Sequence, residues 1–200
     1  MVAIIDYGMG NVASVQKALH FLKINSKVTS NFEDINNSKY IILPGVGSFR
    51  QAMENLEKRK LVSFLKEKVA EGKPFLGICL GMQLLAERGY EDGVTEGLGF
   101  IEGDVILIPE TNLPIPHIGW NNVTVKIPKY FDSLNDNNFY FVHSYFFNAK
   151  NMEDISATVE YGNDLVAVVQ KNNVFGTQFH PEKSQTSGLQ VLKNFIDAYA

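Results

Sequence analysis

Apolar residues in the first part of the chain fall in short runs that alternate with stretches of helical period. Residues 2–6 form an apolar run closed by Asp6 and then by Gly8 and Gly10, the pattern of a buried strand entering a turn. Val12, Val15, Leu19 and Leu22 recur at helical spacing, so 11–23 reads as an amphipathic helix with Asn11 as its cap. Residues 26–29 predict a second, weaker strand. Residues 40–43 predict a third, stopped by Pro44, Gly45, Val46 and Gly47. Helical periods follow over 49–56 and 61–69. Residues 75–78 predict a fourth strand, with a helix over 80–87 directly after it. Strand, turn and helix in this order predict a parallel sheet with helices on both faces.

After Gly97 the texture changes. Runs rich in Val, Ile, Phe and Tyr occupy 100–108, 123–127, 139–142, 155–161, 165–170 and 174–179, separated by Asn, Asp, Gly and Pro. That spacing predicts an antiparallel or mixed section. A final helix carries Leu189, Leu192, Ile196 and Tyr199 on one face. There is no internal repeat, low-complexity tract or linker, so the expectation is a single domain over 1–200, α/β in class.

Composition narrows the function classes. The 200 residues are 45% hydrophobic and 20% charged, an ordinary globular balance that excludes a disordered or fibrous chain. One cysteine excludes a disulfide framework and any multi-cysteine metal site. No cofactor or metal is called for. The N-terminal run holds an acid and lacks a basic flank, so it does not read as a secretory signal, and no run has the length of a membrane span. A cytoplasmic setting is expected. The net charge of −4 gives no reason to invoke nucleic acid or an anionic membrane.

The lone thiol lies in the most informative stretch. Gly77-Ile78-Cys79-Leu80-Gly81 follows a predicted strand and opens a predicted helix, the cysteine counterpart of a G-x-S-x-G nucleophile elbow. Such a turn pushes the nucleophile above the sheet, and flanking glycines remove side chains that would clash. A helix N-terminus beneath the sulfur favours its anionic form. The Leu80 N–H is placed to donate to an oxyanion.

A thiolate nucleophile needs a base, and the base an orienting group. Of the four histidines, His20 reads as surface, and His117 and His143 sit within apolar runs. His180 ends a strand, where a parallel sheet presents its chemistry. Pro181 fixes the turn to Glu182, so Cys79, His180 and Glu182 form a candidate triad. The turn Pro44-Gly45-Val46-Gly47 could supply a second oxyanion donor, since glycines flanking Val46 let that peptide reorient.

A competing motif precedes it. Gly8-Met9-Gly10-Asn11-Val12-Ala13 satisfies a G-x-G-x-x-G/A dinucleotide fingerprint between strand and helix, with Glu33 at the spacing of a ribose-binding acid. Against it, Asp6 and Tyr7 place an acid and a bulky ring where a pyrophosphate would approach. A nucleotide-binding module therefore stands as the non-enzymatic alternative.

Taken together, Pro44-Gly-Val-Gly, Gly77-Ile-Cys-Leu-Gly-Met-Gln83 and Phe179-His-Pro-Glu182 resemble the triad-type (class I) glutamine amidotransferases. Asp6-Tyr-Gly-Met-Gly-Asn11, His117-Ile-Gly-Trp-Asn121 and Tyr140-Phe-Val-His-Ser-Tyr145 narrow the resemblance to glutaminase subunits of imidazole glycerol phosphate synthases, essentially end to end. The resemblance implies a flavodoxin-like α/β fold with a mixed, mostly parallel central sheet flanked by helices. It implies Cys79 attack on the side-chain amide of L-glutamine, with His180 as base, Glu182 as its orienter, and the oxyanion held by Leu80 and Gly45–Val46–Gly47. It places Gln83, Glu91, Ser144 and Tyr145 on the substrate. It also implies heterodimer formation with a (β/α)8 synthase subunit that takes the ammonia in histidine biosynthesis, with Asn11, Trp120 and Tyr140 toward that partner. Ile118 departs from the Met that the histidine-pathway subunits often carry there, and the stretch 175–185 also resembles paralogues that supply ammonia for amidation of a surface-polysaccharide sugar.

Overall fold

The computed structural model describes residues 1–200. Strand β1 (Val2–Ile5) is buried at every position. Val2 and Ile4 enter one apolar cluster, Ala3 and Ile5 the other, the alternation of a strand covered on both faces. Helix α1 (Val12–Phe21) begins at Asn11, whose side chain accepts from the Ser14 amide. Its residues Val15, Ala18 and Leu19 cover the first face. Strands β2 (Ser26–Thr29), β3 (Tyr40–Gly45) and β4 (Phe75–Cys79) complete a parallel set with β1. Helices α2 (Phe32–Asn37), α3 (Phe49–Lys58) and α4 (Leu61–Ala70) lie between them. Helix α2 left no periodic signal because it buries only Ile35; Asn31 secures it by accepting from the Glu33 and Asp34 amides.

The helix expected over 80–87 is a single turn, α5 (Leu80–Gln83). Leu84, Leu85 and Ala86 are all fully buried, so the segment has no solvent face for an amphipathic helix. The amides of Leu85 and Ala86 bond three residues back, and Glu87 then pairs with the Gly103 carbonyl. The chain continues through β5 (Arg88–Gly89), β6 (Thr95–Glu96) and β7 (Gly103–Leu107). Strands β8 (His117–Val125) and β9 (Asn138–His143) pair as neighbours, followed by β10 (Tyr145–Ala149). The end of the chain comprises β11 (Ile155–Glu160), β12 (Asp164–Lys171), β13 (Val174–Thr177) and helix α6 (Gln185–Asp197).

Strand β8 starts well before the expected 123–127 run, because its early apolar residues Ile118 and Trp120 point to solvent. The central sheet has nine strands in the order β2-β1-β3-β4-β13-β12-β11-β8-β9. Its first four junctions are parallel and its last four antiparallel, so the sheet is evenly mixed rather than mostly parallel. A smaller sheet, β10-β7-β5-β6, contributes Val105 and Phe147 to the second apolar cluster. Helix α6 covers the first face through Val191, Leu192 and Phe195; Leu189, Ile196 and Tyr199 sit half-buried at its margin. No helix is long and apolar enough to cross a membrane.

One crossing decides where chemistry can occur. Strand β13 inserts between β4 and β12, parallel to β4, with Thr177 opposite Ile78. The residues that follow β4 and β13 therefore emerge side by side at the C-terminal edge of the parallel strands, the edge where open α/β sheets bind ligands.

Candidate active site

Cys79 closes β4 with φ 55° and ψ −112°, a left-handed conformation costly for any residue with a side chain. The glycines on either side permit it. A Cβ on Gly77 would lie 2.5 Å from the Gly81 carbonyl oxygen, and one on Gly81 would overlap the Leu43 carbonyl oxygen. The elbow thus exists because β3, β4 and α5 touch backbone to backbone. Leu80 begins α5, so its N–H has no partner inside that helix. With α5 only one turn long, the aligned peptide dipoles beneath the sulfur are few, and the expected helix effect is correspondingly small.

His180 is set by strand β9 and the turn after it. Its amide donates to the Tyr140 carbonyl (3.0 Å), and its carbonyl accepts from the Ser184 hydroxyl (2.6 Å). Ser184 in turn accepts from the Tyr140 amide (3.0 Å). A short helical turn over Pro181–Lys183 brings Glu182 back to the ring. The Glu182 side chain is 2% exposed, and its Oε1 lies 2.8 Å from His180 Nδ1. The opposite nitrogen, Nε2, is buried and has no partner. Burial pulls the His180 pKa down, but the Cys79 sulfur and the Glu182 carboxylate outweigh it and hold the ring up at about 9.

A cavity of about 340 Å³ gathers most of the residues singled out in the sequence. Cys79, Leu80, His180, Val46, Gly47, Gln83, Glu91, Ser144 and Tyr145 all line it, at the small end of the range for ligand pockets. Gly45 stands behind the wall: it pairs with Cys79 in the sheet and abuts the Tyr7 hydroxyl and Leu80. Gly47 has φ 102°, a conformation that favours glycine, and Val46 reaches the solvent-exposed mouth. Glu91 accepts from the Phe49 amide (2.8 Å), so one carboxylate oxygen caps α3. Gln83 donates to the Tyr145 carbonyl (2.8 Å) and to Gln178 (3.1 Å).

Besides Gly45 and Glu182, the three residues expected toward a partner do not line the cavity. Asn11 is exposed and caps α1. Trp120 and Tyr140 are cross-strand partners on β8 and β9 with ring centroids 6.1 Å apart. Trp120 is 45% exposed and its strand neighbour Ile118 60%, an apolar patch beside the site.

Sequence reading passed over Pro116, Val142 and His143, which also line the cavity, and Gln178 behind it. His143 Nε2 lies 3.0 Å from His117 Nδ1, and its Nδ1 donates to the Tyr145 carbonyl (2.9 Å). Burial lowers both rings to about 4, so they stand neutral. With the Tyr145 carbonyl as a fixed acceptor, each ring carries its proton on Nδ1. Their place inside apolar runs concealed them.

The glycine turn after β1 has a packing role. Asp6 accepts from the Gly8 amide (3.0 Å), the kind of donor a phosphate would need, and a Cβ on Gly10 would meet the Pro44 carbonyl at 3.0 Å. No group of three or more His, Cys, Asp or Glu side chains converges in a way that could hold a metal ion.

A strained thiol facing a buried histidine that a carboxylate holds from behind can perform nucleophilic acyl chemistry. Comparison with known proteins agrees. The family model for glutamine amidotransferase class-I matches residues 3–198. The chain is 50% identical over 200 residues to imidazole glycerol phosphate synthase subunit HisH 1 of Campylobacter jejuni strain RM1221, covering 98% of this chain and 99% of that one. It is 48% identical over 197 residues to subunit HisH of Caldanaerobacter subterraneus subsp. tengcongensis, covering 98% and 97%. Among solved structures, a glutamine amidotransferase superposes with a TM-score of 0.79 at 20% identity over 100% of this chain and 99% of its own. The PurLQS structure from Thermotoga maritima superposes with 0.75 at 17% identity, covering 100% and 98%. The chain belongs to the class-I glutamine amidotransferases and, within them, to the HisH family.

Proposed function

We propose that this chain is the glutaminase subunit of an imidazole glycerol phosphate synthase, hydrolysing L-glutamine to glutamate and supplying the ammonia to a (β/α)8 synthase partner in histidine biosynthesis. The observation that carries the chemistry is the pairing of a left-handed Cys79 with a His180 whose Nδ1 is held by Glu182 and whose Nε2 is free.

In this reading the Cys79 proton passes to His180 Nε2, and the sulfur attacks the glutamine side-chain carbonyl carbon. The Leu80 N–H and an N–H of the Gly45–Val46–Gly47 turn take the negative oxygen. His180 returns its proton to the departing nitrogen, which leaves as ammonia, and a glutamyl thioester remains. Water, deprotonated by His180, attacks the thioester; glutamate leaves and Cys79 regains its proton. The free oxygen of Glu91 suits the substrate's ammonium group, and Gln83, Ser144 and Tyr145 supply polar contacts along the remaining wall.

The partner surface runs over Asn11, Trp120 and Tyr140, and the exposed Ile118 and Trp120 on β8 give it an apolar patch. The reduced thiol this mechanism requires fits a cytoplasmic location.

The test is Cys79→Ala. Glutamine hydrolysis should vanish, while the synthase partner mixed with this variant still reacts with added ammonia. Glutaminase activity surviving in the variant overturns the nucleophile assignment. Vigorous glutamine turnover by this chain alone, unchanged when a synthase subunit and its ligand are added, overturns the subunit reading.

A further inference from the structure

We propose that Gln178 is a further residue of the glutaminase machinery, whose side-chain amide donates to the Cys79 sulfur and holds it as a thiolate. The inference builds on Cys79 as the nucleophile. Gln178 is 0% exposed and its Nε2 lies 3.8 Å from Cys79 Sγ, hydrogen-bond range for a sulfur acceptor.

The orientation of that amide follows from a chain of obligatory bonds. The Tyr145 carbonyl can only accept, so the Gln83 atom 2.8 Å from it is the amide nitrogen. The same nitrogen lies 3.1 Å from Gln178, which must present its oxygen there. The Gln178 nitrogen is then left facing the sulfur. A buried amide with its oxygen engaged and its N–H aimed at a thiol is a fixed donor rather than an adaptable one.

The other neighbour of the sulfur has the opposite polarity. The Val142 carbonyl oxygen lies 3.9 Å from Sγ. It accepts an S–H and repels a thiolate. When the Cys79 proton moves to His180 Nε2, the Val142 contact becomes unfavourable and the Gln178 contact becomes charge-assisted. Gln178 therefore favours the ionised pair at rest, and it favours thiolate departure when the thioester breaks down. It touches the sulfur without lining the cavity, and Gln83, the wall residue it meets, also bonds the Tyr145 carbonyl, so its direct effect falls on the reacting atom rather than on glutamine binding.

The test reads Cys79 reactivity without glutamine. Alkylation by iodoacetamide at pH 7 should be about ten- to hundredfold slower in Gln178→Met, the range expected for losing one hydrogen bond to a charged group. It should be slower still in Gln178→Glu, which sets a carboxylate against the sulfur. For glutamine turnover, kcat should fall with KM nearly unchanged. A second readout needs no variant: in the unmutated protein the Gln178 side-chain amide protons, followed by NMR, should move as Cys79 ionises. Wild-type alkylation rates in both folded variants, or amide protons indifferent to Cys79 ionisation, overturn the proposal. Loss of the Cys79 role itself would show separately, as glutamine hydrolysis persisting in Cys79→Ala.

Discussion

Lowering the pH from 6.5 to 5 should destabilise the fold through the His117–His143 pair. Both rings are buried and held near 4, against an ordinary histidine value of 6.5. The unfolded chain therefore binds more protons than the folded one between about 4 and 6.5, and stability rises with pH across that window. At about 1.4 kcal/mol per pKa unit, each ring costs about 2 kcal/mol at pH 5 and about 3 kcal/mol once the pH has fallen to about 4. His180 does not confuse the window. Its folded value is raised to about 9, so its contribution is complete below 6.5 and is lost only as pH climbs through 9. The carboxylates of Asp34, Glu71 and Glu102, held low by lysine partners, titrate at more acidic pH. Urea unfolding between pH 5 and 6.5 is the assay, with a slope approaching about 1.4 kcal/mol per pH unit for each ring. His117→Phe keeps the stack between Phe141 and Tyr161 and removes one titrating group, so the slope should halve. A slope unchanged in that variant, or flat in the parent, refutes the buried neutral pair.

Three further outcomes follow from the geometry. Gly81→Ala should destabilise the protein by more than about 4 kcal/mol, because its methyl overlaps the Leu43 carbonyl; a melting temperature near wild type would show that the elbow can open. Tyr7→Phe removes a fully buried hydroxyl that has no hydrogen-bond partner. It should be neutral or stabilising by about 1 kcal/mol in urea unfolding, and a loss of that size would reveal a bond made in another conformation. Glu182→Gln should lower kcat less than Cys79→Ala or His180→Ala, since the carboxylate orients the ring without bonding to substrate; equal losses in steady-state glutaminase assays would contradict that role.

The parallel half of the fold was legible because its strands are short apolar runs and its helices carry amphipathic periods. The elbow was legible because glycines at fixed distance from a thiol leave few other readings. Other features escaped for identifiable reasons. Helix α2 buries one residue and therefore has no period. The turn at Leu84–Ala86 is apolar on all sides and mimics a helix in a linear reading. Strand β8 turns Ile118 and Trp120 outward, so its apolar residues do not mark a core. Gln178 and His143 lie within strand-like stretches, and only the folded sheet brings them to the sulfur and the cavity wall. Spacing along a chain reveals chemistry that is local; it cannot reveal partners joined across the sheet.

The neighbouring placement of β4 and β13 has a kinetic consequence. The two strands that deliver the thiol and the histidine are adjacent in space, but everything from β5 to β12 lies between them in the chain. Closing so long a loop is entropically costly and belongs among the slower folding events. A ribosome-bound or partly refolded chain can form the elbow from β3, β4 and α5 and still lack its base. Glutamine-hydrolysing activity should therefore appear only with the completed sheet, so turnover during refolding serves as a clock for the last strand to insert.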